Sequence, residues 1–257
     1  MIYLCIRQTV DWADEAAFRA QLPPEFASTV RLWDETFDVP YHRFRQRVRE
    51  IALGNAADLE GVTTAPWSEI PDGALVLPAD DDDWFAPDIA RALEEAGRRN
   101  PGARCLRWPE AFLEVPLNFL HRIRLLERRL LGTPPKWFCS TNNYAVVKSD
   151  ETARLFASHV EASRWCETHR SAVLEVSAGL SVMNRTLASR TSLGLGAPLN
   201  ARPISARGLM RKYHDYRGLY AKALPPDIAW AAPYARRMAE LMEGLSVRDR
   251  RGGQPNS

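Results

Sequence analysis

Residues 74–96 have the sequence ALVLPADDDDWFAPDIARALEEA, and this stretch decides the fold. Residues 74–77 form an apolar run after a Pro-Asp-Gly turn signal, so they predict a buried strand. Four aspartates follow at residues 80–83. A helix is predicted next, because Pro87 suits a first helical position and apolar residues recur at helical spacing at Ile89, Leu93 and Ala96. This order is typical of an α/β fold, and it places the acids at the carboxyl end of a sheet strand, where open α/β sheets bind ligands.

The acidic run is the centre of the predicted chemistry. Carboxylates this close together raise one another's pKa values or require a counter-ion. A hard cation such as Mn²⁺ or Mg²⁺ takes carboxylate oxygens together with the phosphate oxygens of a substrate. The run follows an apolar strand directly and adjoins Trp84 and Phe85. We therefore favour a metal site over the alternative interpretation, a solvated acidic loop.

The stretch resembles the strand–DxD–helix segment of GT-A glycosyltransferases, in particular bacterial family-two-like enzymes and rhamnosyltransferases. The resemblance implies that Asp80 and Asp82 are the acidic pair and that Asp83 is a trailing acid of the same metal site. It further implies that Asp82 binds the metal bridging the donor diphosphate, and that Asp80 lies near the ribose or donor sugar. A register one residue later, with Asp81 and Asp83 as the pair, stays open.

The resemblance also implies a fold: an α/β, GT-A-like, Rossmann-type mixed sheet flanked by helices, with a C-terminal helical extension. The predicted catalytic domain covers residues 1–200, the helical extension residues 201–246 and a disordered tail residues 247–257. Within the first domain the sequence predicts strands at residues 2–10 and 29–33 and a helix at residues 41–53.

A second segment, WFCSTNNYAVVKS at residues 137–149, is similar to the part of these enzymes that lines the acceptor side. Asn142, Asn143 and Tyr144 are therefore candidate hydrogen-bonding partners of sugar hydroxyls. The alternative for the two asparagines is a tight polar turn. Trp84 is a candidate for stacking on a sugar or base, since it follows the acids directly.

Cleavage of a sugar–phosphate bond leaves negative charge on a diphosphate, which cations stabilise. Arg43 and Arg47, on the predicted helix before the motif, and Arg190, in a later glycine-bearing loop, are candidates for that contact. Arg45 and Arg49 share the helix, and its spacing lets one or two of the four reach the site. For each arginine, a solvated helix face or surface loop is the alternative interpretation.

An inverting transfer also needs a base within hydrogen-bond reach of the acceptor hydroxyl. These enzymes often carry a Glu-Asp pair or an Asp late in the chain, and this sequence has no such Glu-Asp pair there. His159 and Glu161 are the candidate catalytic residues, against the alternative that both are ordinary surface residues of a helix.

Composition limits the function classes. The 257 residues carry a formal net charge of +2, which argues against a nucleic-acid partner. The four cysteines lie far apart, so a zinc ribbon is not expected and reduced thiols are. The start of the chain lacks the features of a secretory signal. We expect a cytoplasmic protein, and the apolar stripe near the C-terminus suggests either packing on the catalytic domain or peripheral contact with the inner face of a membrane.

The sequence thus predicts a metal-dependent glycosyltransferase that uses a nucleotide-diphosphate sugar and Mn²⁺ or Mg²⁺. The acceptor, a glycan or small molecule, and the oligomeric state are left open. Two alternatives remain: a metal-dependent phosphohydrolase, and a catalytically inactive carbohydrate- or nucleotide-binding protein on the same fold.

Overall fold

A computed structural model describes residues 1–7, 12–22, 24–109, 111–115, 139, 142–189, 193 and 204–248. Its main sheet has six strands: β1 (Ile2–Ile6), β2 (Val62–Thr64), β3 (Leu75–Ala79), β5 (Cys105–Arg107), β7 (Tyr144–Val147) and β8 (Val173–Glu175). Their order across the sheet is β2-β1-β3-β7-β5-β8. Strand β1 pairs in parallel with β2 and β3, and β5 pairs in parallel with β8. Strand β7 is antiparallel to both β3 and β5, so the sheet is mixed.

A smaller sheet begins directly after the acidic run. It contains β4 (Trp84–Phe85), β6 (Phe112–Leu113) and β9 (Ser181–Asn184), with β9 in the middle. Strand β4 is antiparallel to β9 and β6 is parallel to it. The four aspartates therefore connect one sheet to the other.

The described part of the chain contains eight α-helices. They are α1 (Glu15–Ala20), α2 (Pro24–Thr36), α3 (Tyr41–Ala57), α4 (Ile89–Arg99), α5 (Ala153–Ala157), α6 (His159–Thr168), α7 (Ala206–Tyr220) and α8 (Ala232–Glu243). Short 3₁₀ turns lie at Trp67–Glu69, Arg170–Ala172 and Pro226–Ala231. Local signals explain several helix starts: Asp14 caps α1 and Ser158 caps α6, each through its side chain.

Helices cover both faces of the main sheet. Side chains alternate between faces along a strand, and in β3 Leu77 joins the apolar cluster that contains α4, whereas Val76 joins the cluster that contains α5 and α6. The expected α/β fold, with a mixed sheet flanked by helices, is therefore confirmed.

A third apolar cluster joins α2 and α3 to the C-terminal helices α7 and α8. Large side chains fill it, among them Trp33 and Phe44 from the first pair and Tyr216 and Met238 from the second, all fully buried. Segment 201–246, predicted as an extension, thus shares a core with the N-terminal half of the chain in its described part.

Two local predictions are corrected. Residues 29–33 are not a strand but part of α2, because the buried residues Phe26, Val30, Trp33 and Phe37 recur at helical spacing. The first strand ends at Ile6, since Arg7 lies outside it, and residues 8–10 of the predicted strand lie outside the described residues.

Two residues assigned to the disordered tail make contacts. Val247 forms a β-bridge with Phe37, and the backbone N–H of Arg248 donates to the carbonyl of Thr36 at 2.9 Å. Residues 249–257 lie outside the described residues. No helix in the described part of the chain combines the length and apolarity needed to cross a membrane.

Candidate functional site

The candidate site lies where β1 and β3 end side by side. From β1 the chain goes to β2 on one side and then returns to β3 on the other. Such a reversal in strand order opens a crevice at the carboxyl ends of the two strands, where ligands of α/β sheets bind. Arg7 follows β1 and donates its backbone N–H to Ala79 at 2.8 Å. Its guanidinium pairs with Asp80 at 3.1 Å.

The loop of residues 80–83 is closed by its own hydrogen bonds. The backbone N–H of Asp80 donates to Oδ2 of Asp83 at 3.0 Å, and the N–H of Asp83 donates to the carbonyl of Asp80 at 3.4 Å. Asp83 is buried, and its Oδ1 has no hydrogen-bond partner among the described residues. Of the three aspartates that form ion pairs here, Asp80 has the most exposed side chain, with 40% of its surface accessible to solvent. Asp80 is therefore the carboxylate most open to a ligand.

Arg45 of α3 holds the two middle carboxylates. Its guanidinium bonds Asp81 at 2.5 Å and Asp82 at 2.8 Å, and its side chain is 8% exposed. The indole N–H of Trp12 also donates to Asp81. The guanidinium carbon of Arg45 lies 5.0 Å from the centre of the Trp12 ring, in cation–π range.

A second contact fixes α3 to the far end of the acidic loop. The buried amide of Asn55 donates to the carbonyl of Phe85 at 2.9 Å and accepts from the N–H of Phe85 at 2.8 Å. Asn55 thus bonds Phe85, the second residue after the loop, as a neighbouring strand would. Arg45 and Asn55, ten residues apart on one helix and so about 15 Å apart along it, hold the middle of the loop and the strand that follows it.

The loop carries more negative charge than its arginines neutralise. Four carboxylates face two guanidinium groups, which leaves a formal charge of −2 when all are ionised. Burial raises the pKa of Asp82 to about 6 against the opposing effect of Arg45, and burial with the charge of Asp80 raises the pKa of Asp83 well above its usual range. Burial would lower the pKa of Arg45, but Asp81 and Asp82 raise it. The loop therefore favours an added proton or cation.

The two candidate bases occupy different environments. His159 is the first residue of α6 and lies close enough to Arg7 and Asp80 to be affected by their charges. Its pKa is lowered mainly by burial and to a smaller extent by the positive charge of Arg7. Glu161, in contrast, forms an exposed pair with Arg164 at 2.9 Å, and no described contact joins it to the acidic loop. The structure thus brings His159, and not Glu161, to the acids.

The arginines predicted to reach the site are corrected. Arg43 and Arg47 are exposed, and Arg43 bonds Gln46 at 3.1 Å. They face solvent because the buried face of α3 carries Tyr41, Arg45 and Val48, whose spacing is three to four residues. Arg45, which shares the helix, reaches the acidic loop instead, where it pairs with Asp81 and Asp82.

Of Arg185 and Arg190, Arg185 lies among the described residues and Arg190 lies outside them. Arg185 follows β9 and bonds Glu114 at 2.7 Å. After burial, which is the main cause, the positive charge of Arg185 also contributes to the lowered pKa of His159.

The residues predicted to bind sugar are buried in the fold. Trp84 is fully buried in the core beside Tyr234, so its ring has no face open to a sugar. Tyr144 donates its hydroxyl to the carbonyl of Leu155 at 2.8 Å, and Asn143 donates its amide to the carbonyl of Trp108 at 2.9 Å. These three interpretations are corrected, because each side chain serves packing or backbone hydrogen bonding.

Asn142 differs from its neighbour. Its side chain is also buried, but its Nδ2 has no hydrogen-bond partner among the described residues. The placement leaves its predicted role in binding sugar untested.

Sequence reasoning did not single out Arg7 or Trp12. Arg7 carried a weak signal, as a polar residue at the predicted end of the first strand. Trp12 and the choice of Arg45 depend on contacts between distant segments. A scan against protein-family models and a search of curated proteins give no match for the chain.

Proposed function

We propose that the chain is a metal-dependent glycosyltransferase that uses a nucleotide-diphosphate sugar. The observation that carries the proposal is the acidic loop, with its formal excess of two negative charges, at the end of β3 beside the end of β1. Its position and the DxD-like sequence agree with the GT-A resemblance. A mixed sheet flanked by helices is compatible with that fold.

Two carboxylates of the loop, Asp80 and Asp83, rather than a converging group of three, are available to a hard divalent cation. A charge of +2 offsets the formal excess, and carboxylate oxygens are the ligands that Mn²⁺ and Mg²⁺ prefer. Asp80 is the accessible ligand, and the unpartnered Oδ1 of Asp83 is a second oxygen at the same turn. When bound, the cation would offset the charge that develops on the departing diphosphate.

The other residues of the site supply binding and proton transfer. Arg7, which pairs with Asp80 at 3.1 Å, supplies a positive charge beside the acidic loop that would attract a diphosphate. Arg185 adds a second positive charge near His159. Burial lowers the pKa of His159, which favours the neutral imidazole that can accept the proton of an acceptor hydroxyl. Glu161 has no part in the proposed reaction.

The first experiment measures thermal stability with a panel of nucleoside diphosphates, each with and without Mn²⁺. A ligand that binds the native state at about 100 times its Kd stabilises it by about 2.7 kcal/mol. For a chain of this size that corresponds to a rise in Tm of roughly 5 to 10 °C. We expect this rise for one nucleoside diphosphate, and only with the metal.

Two variants make the test specific. Asp80→Asn should abolish the metal-dependent rise, while Asp88→Asn, an exposed acid of the α4 N-terminus, should keep it. The proposal is wrong if no nucleotide gives a metal-dependent response. Slow release of sugar from the matching nucleotide sugar would identify the donor, whereas release of inorganic phosphate from the nucleotide would indicate the phosphohydrolase.

A further inference from the structure

Three buried cysteines from distant parts of the chain meet in the described structure. Cys105 belongs to β5, Cys139 precedes β7 and Cys166 belongs to α6. The Sγ atom of Cys166 lies 3.6 Å from that of Cys105 and 3.7 Å from that of Cys139. All three Sγ atoms lie within 4.8 Å of one another. Among the described residues, this is the one group of three potential metal ligands with that spacing.

The fold holds each thiol in place. Cys105 projects from the sheet toward the layer of α5 and α6, and Cys166 faces the sheet from one turn beyond Ala162. Ser163 of the same helix clamps the backbone of Cys139, because its hydroxyl accepts from the Cys139 N–H at 3.0 Å and donates to the Cys139 carbonyl at 3.1 Å. The three sulfur atoms are therefore positioned by the sheet, the helix and a side-chain clamp.

The spacing of the sulfur atoms suits a metal ion. A disulfide would bring two of them to about 2.05 Å, and all four cysteines are free. Sulfur atoms bound to one tetrahedral Zn²⁺ at about 2.3 Å lie about 3.8 Å apart. The two short distances are close to that edge length, so an ion would fit with small shifts of the side chains.

Of the three thiols, the environment favours the thiolate form of Cys166 alone. Hydrogen bonds with Cys105 and Cys139 lower the pKa of Cys166, and the positive charge of Arg107 acts in the same direction. Hydrogen bonds with Cys139 and Cys166, together with burial, raise the pKa of Cys105. Against the opposing effect of a hydrogen bond with Cys105, a hydrogen bond with Cys166 and burial raise the pKa of Cys139. A bound cation would stabilise these two residues as thiolates.

We propose that Cys105, Cys139 and Cys166 form a binding site for a soft divalent metal ion, with Zn²⁺ as the matching ion. Thiolates are soft ligands, so this site is separate in chemistry from the acidic loop, which suits Mn²⁺ or Mg²⁺. Three protein ligands with one further position is the ligand number of zinc sites that also take a water or small ligand. Each thiol that binds as thiolate releases its proton to solvent, so binding strengthens as pH rises.

Cys5 provides a matched control within the same apolar cluster. It is a free, buried cysteine like the others, but it does not belong to the group of three. Burial of a thiol in this cluster is therefore common to all four residues, and convergence of sulfur atoms is what distinguishes the proposed site.

The test uses the full chain, reduced, stripped of metal and loaded with Zn²⁺ before gel filtration. We expect one Zn²⁺ per chain in the wild type, in Cys5→Ser and in Asp80→Asn, and none in Cys166→Ser. Retention in Asp80→Asn separates this site from the acidic loop, so the two proposals can fail independently.

A measurement on the wild type covers the case in which Cys166→Ser does not fold. Titration with Cd²⁺ should give an ultraviolet thiolate-to-metal charge-transfer band that saturates at one equivalent and is unchanged in Cys5→Ser. Three results would overturn the proposal: a wild type that retains no Zn²⁺, Cd²⁺ binding without the band, or a folded Cys166→Ser that retains Zn²⁺ fully. A purified chain two hydrogens lighter than its sequence, which loses its metal capacity until reduced, would assign a disulfide to these cysteines instead.

Discussion

At the scale of single residues, Arg45 decides whether the acidic loop can be buried. Its guanidinium is the partner of both Asp81 and Asp82, and all three side chains are at least 85% buried. Breaking a buried ion pair leaves an uncompensated charge and costs about 3–5 kcal/mol. We expect Arg45→Met to lower the free energy of unfolding by that amount in urea denaturation.

Arg43→Met is the matched control, because Arg43 lies on the same helix with its side chain in solvent. Arg43→Met should change the free energy of unfolding by no more than about 0.5 kcal/mol. Equal losses of unfolding free energy in the two variants would mean that the ion pairs of Arg45 with Asp81 and Asp82 do not stabilise the fold.

Asp82 makes stability depend on pH. Its pKa is about 6 in the folded chain, because of burial, against an ordinary value of 3.8. Between those values the folded state binds more protons than the unfolded state, so stability falls as pH rises from about 4 to about 6. Asp83 acts in the same direction, since burial raises its pKa well above the usual range.

Urea denaturation at a series of pH values measures this slope. Asp82→Asn should make the slope shallower, because the amide does not titrate, whereas Asp88→Asn should leave it unchanged. A slope that is the same in all three proteins would place the titrating groups elsewhere.

At the scale of elements, the contact between α3 and β4 holds the loop in position. Asn55 satisfies both the N–H and the carbonyl of Phe85, and it is buried. In Asn55→Ala both buried groups lose their partner, at about 1–3 kcal/mol each. We expect a loss of roughly 2–5 kcal/mol in the free energy of unfolding and faster hydrogen exchange at the Phe85 amide.

The exchange measurement separates a local effect from a general one. Arg47→Ala, an exposed change in the same helix, should alter neither quantity. If the Phe85 amide stays protected in Asn55→Ala, the side-chain bonds do not fix the start of β4.

Elements with strong local signals could be predicted from the sequence. Strand β3 follows from its apolar run and turn, and α4 from its apolar spacing, although α4 begins at Ile89 after the short strand β4. The prediction of a strand at residues 29–33 was wrong because β-branched residues there favour a strand locally. The helical spacing of Val30, Trp33 and Phe37 lets these side chains pack against α7 and α8, and this packing overrides the local preference.

The candidate site was predictable only as far as its local pattern extends. The acidic run is one continuous segment, so its place at the end of β3 could be inferred from the sequence. The partners of its carboxylates come from β1, α3 and the segment around Trp12, and the cysteine group joins residues 61 positions apart in the chain. Such contacts are products of the tertiary fold, and no spacing within one segment indicates them.

At the scale of the whole molecule, the C-terminal helices complete the core on which the site rests. The apolar stripe of α8, which includes Tyr234, Met238 and Met242, is buried against α3 rather than presented to a membrane. Tyr213 of α7 donates its hydroxyl to the carbonyl of Leu245 at 2.7 Å, which ties α7 to the residues that follow α8. The helix that carries Arg45 and Asn55 is therefore held between the acidic loop and the C-terminal helices.

This arrangement predicts that the segment after residue 203 is required for folding. A chain that ends at residue 203 lacks α7 and α8 and exposes the fully buried side chains of Trp33, Phe37 and Phe44. Burial of one such side chain contributes about 1.5–3 kcal/mol, and a domain's whole stability is about 5–15 kcal/mol. We expect the shortened chain to lose its near-ultraviolet circular dichroism and its cooperative thermal transition. A chain that ends at Arg248 keeps every described contact and should unfold like the full chain, whereas a cooperative transition in the 1–203 chain would show that the N-terminal segment has a sufficient core of its own.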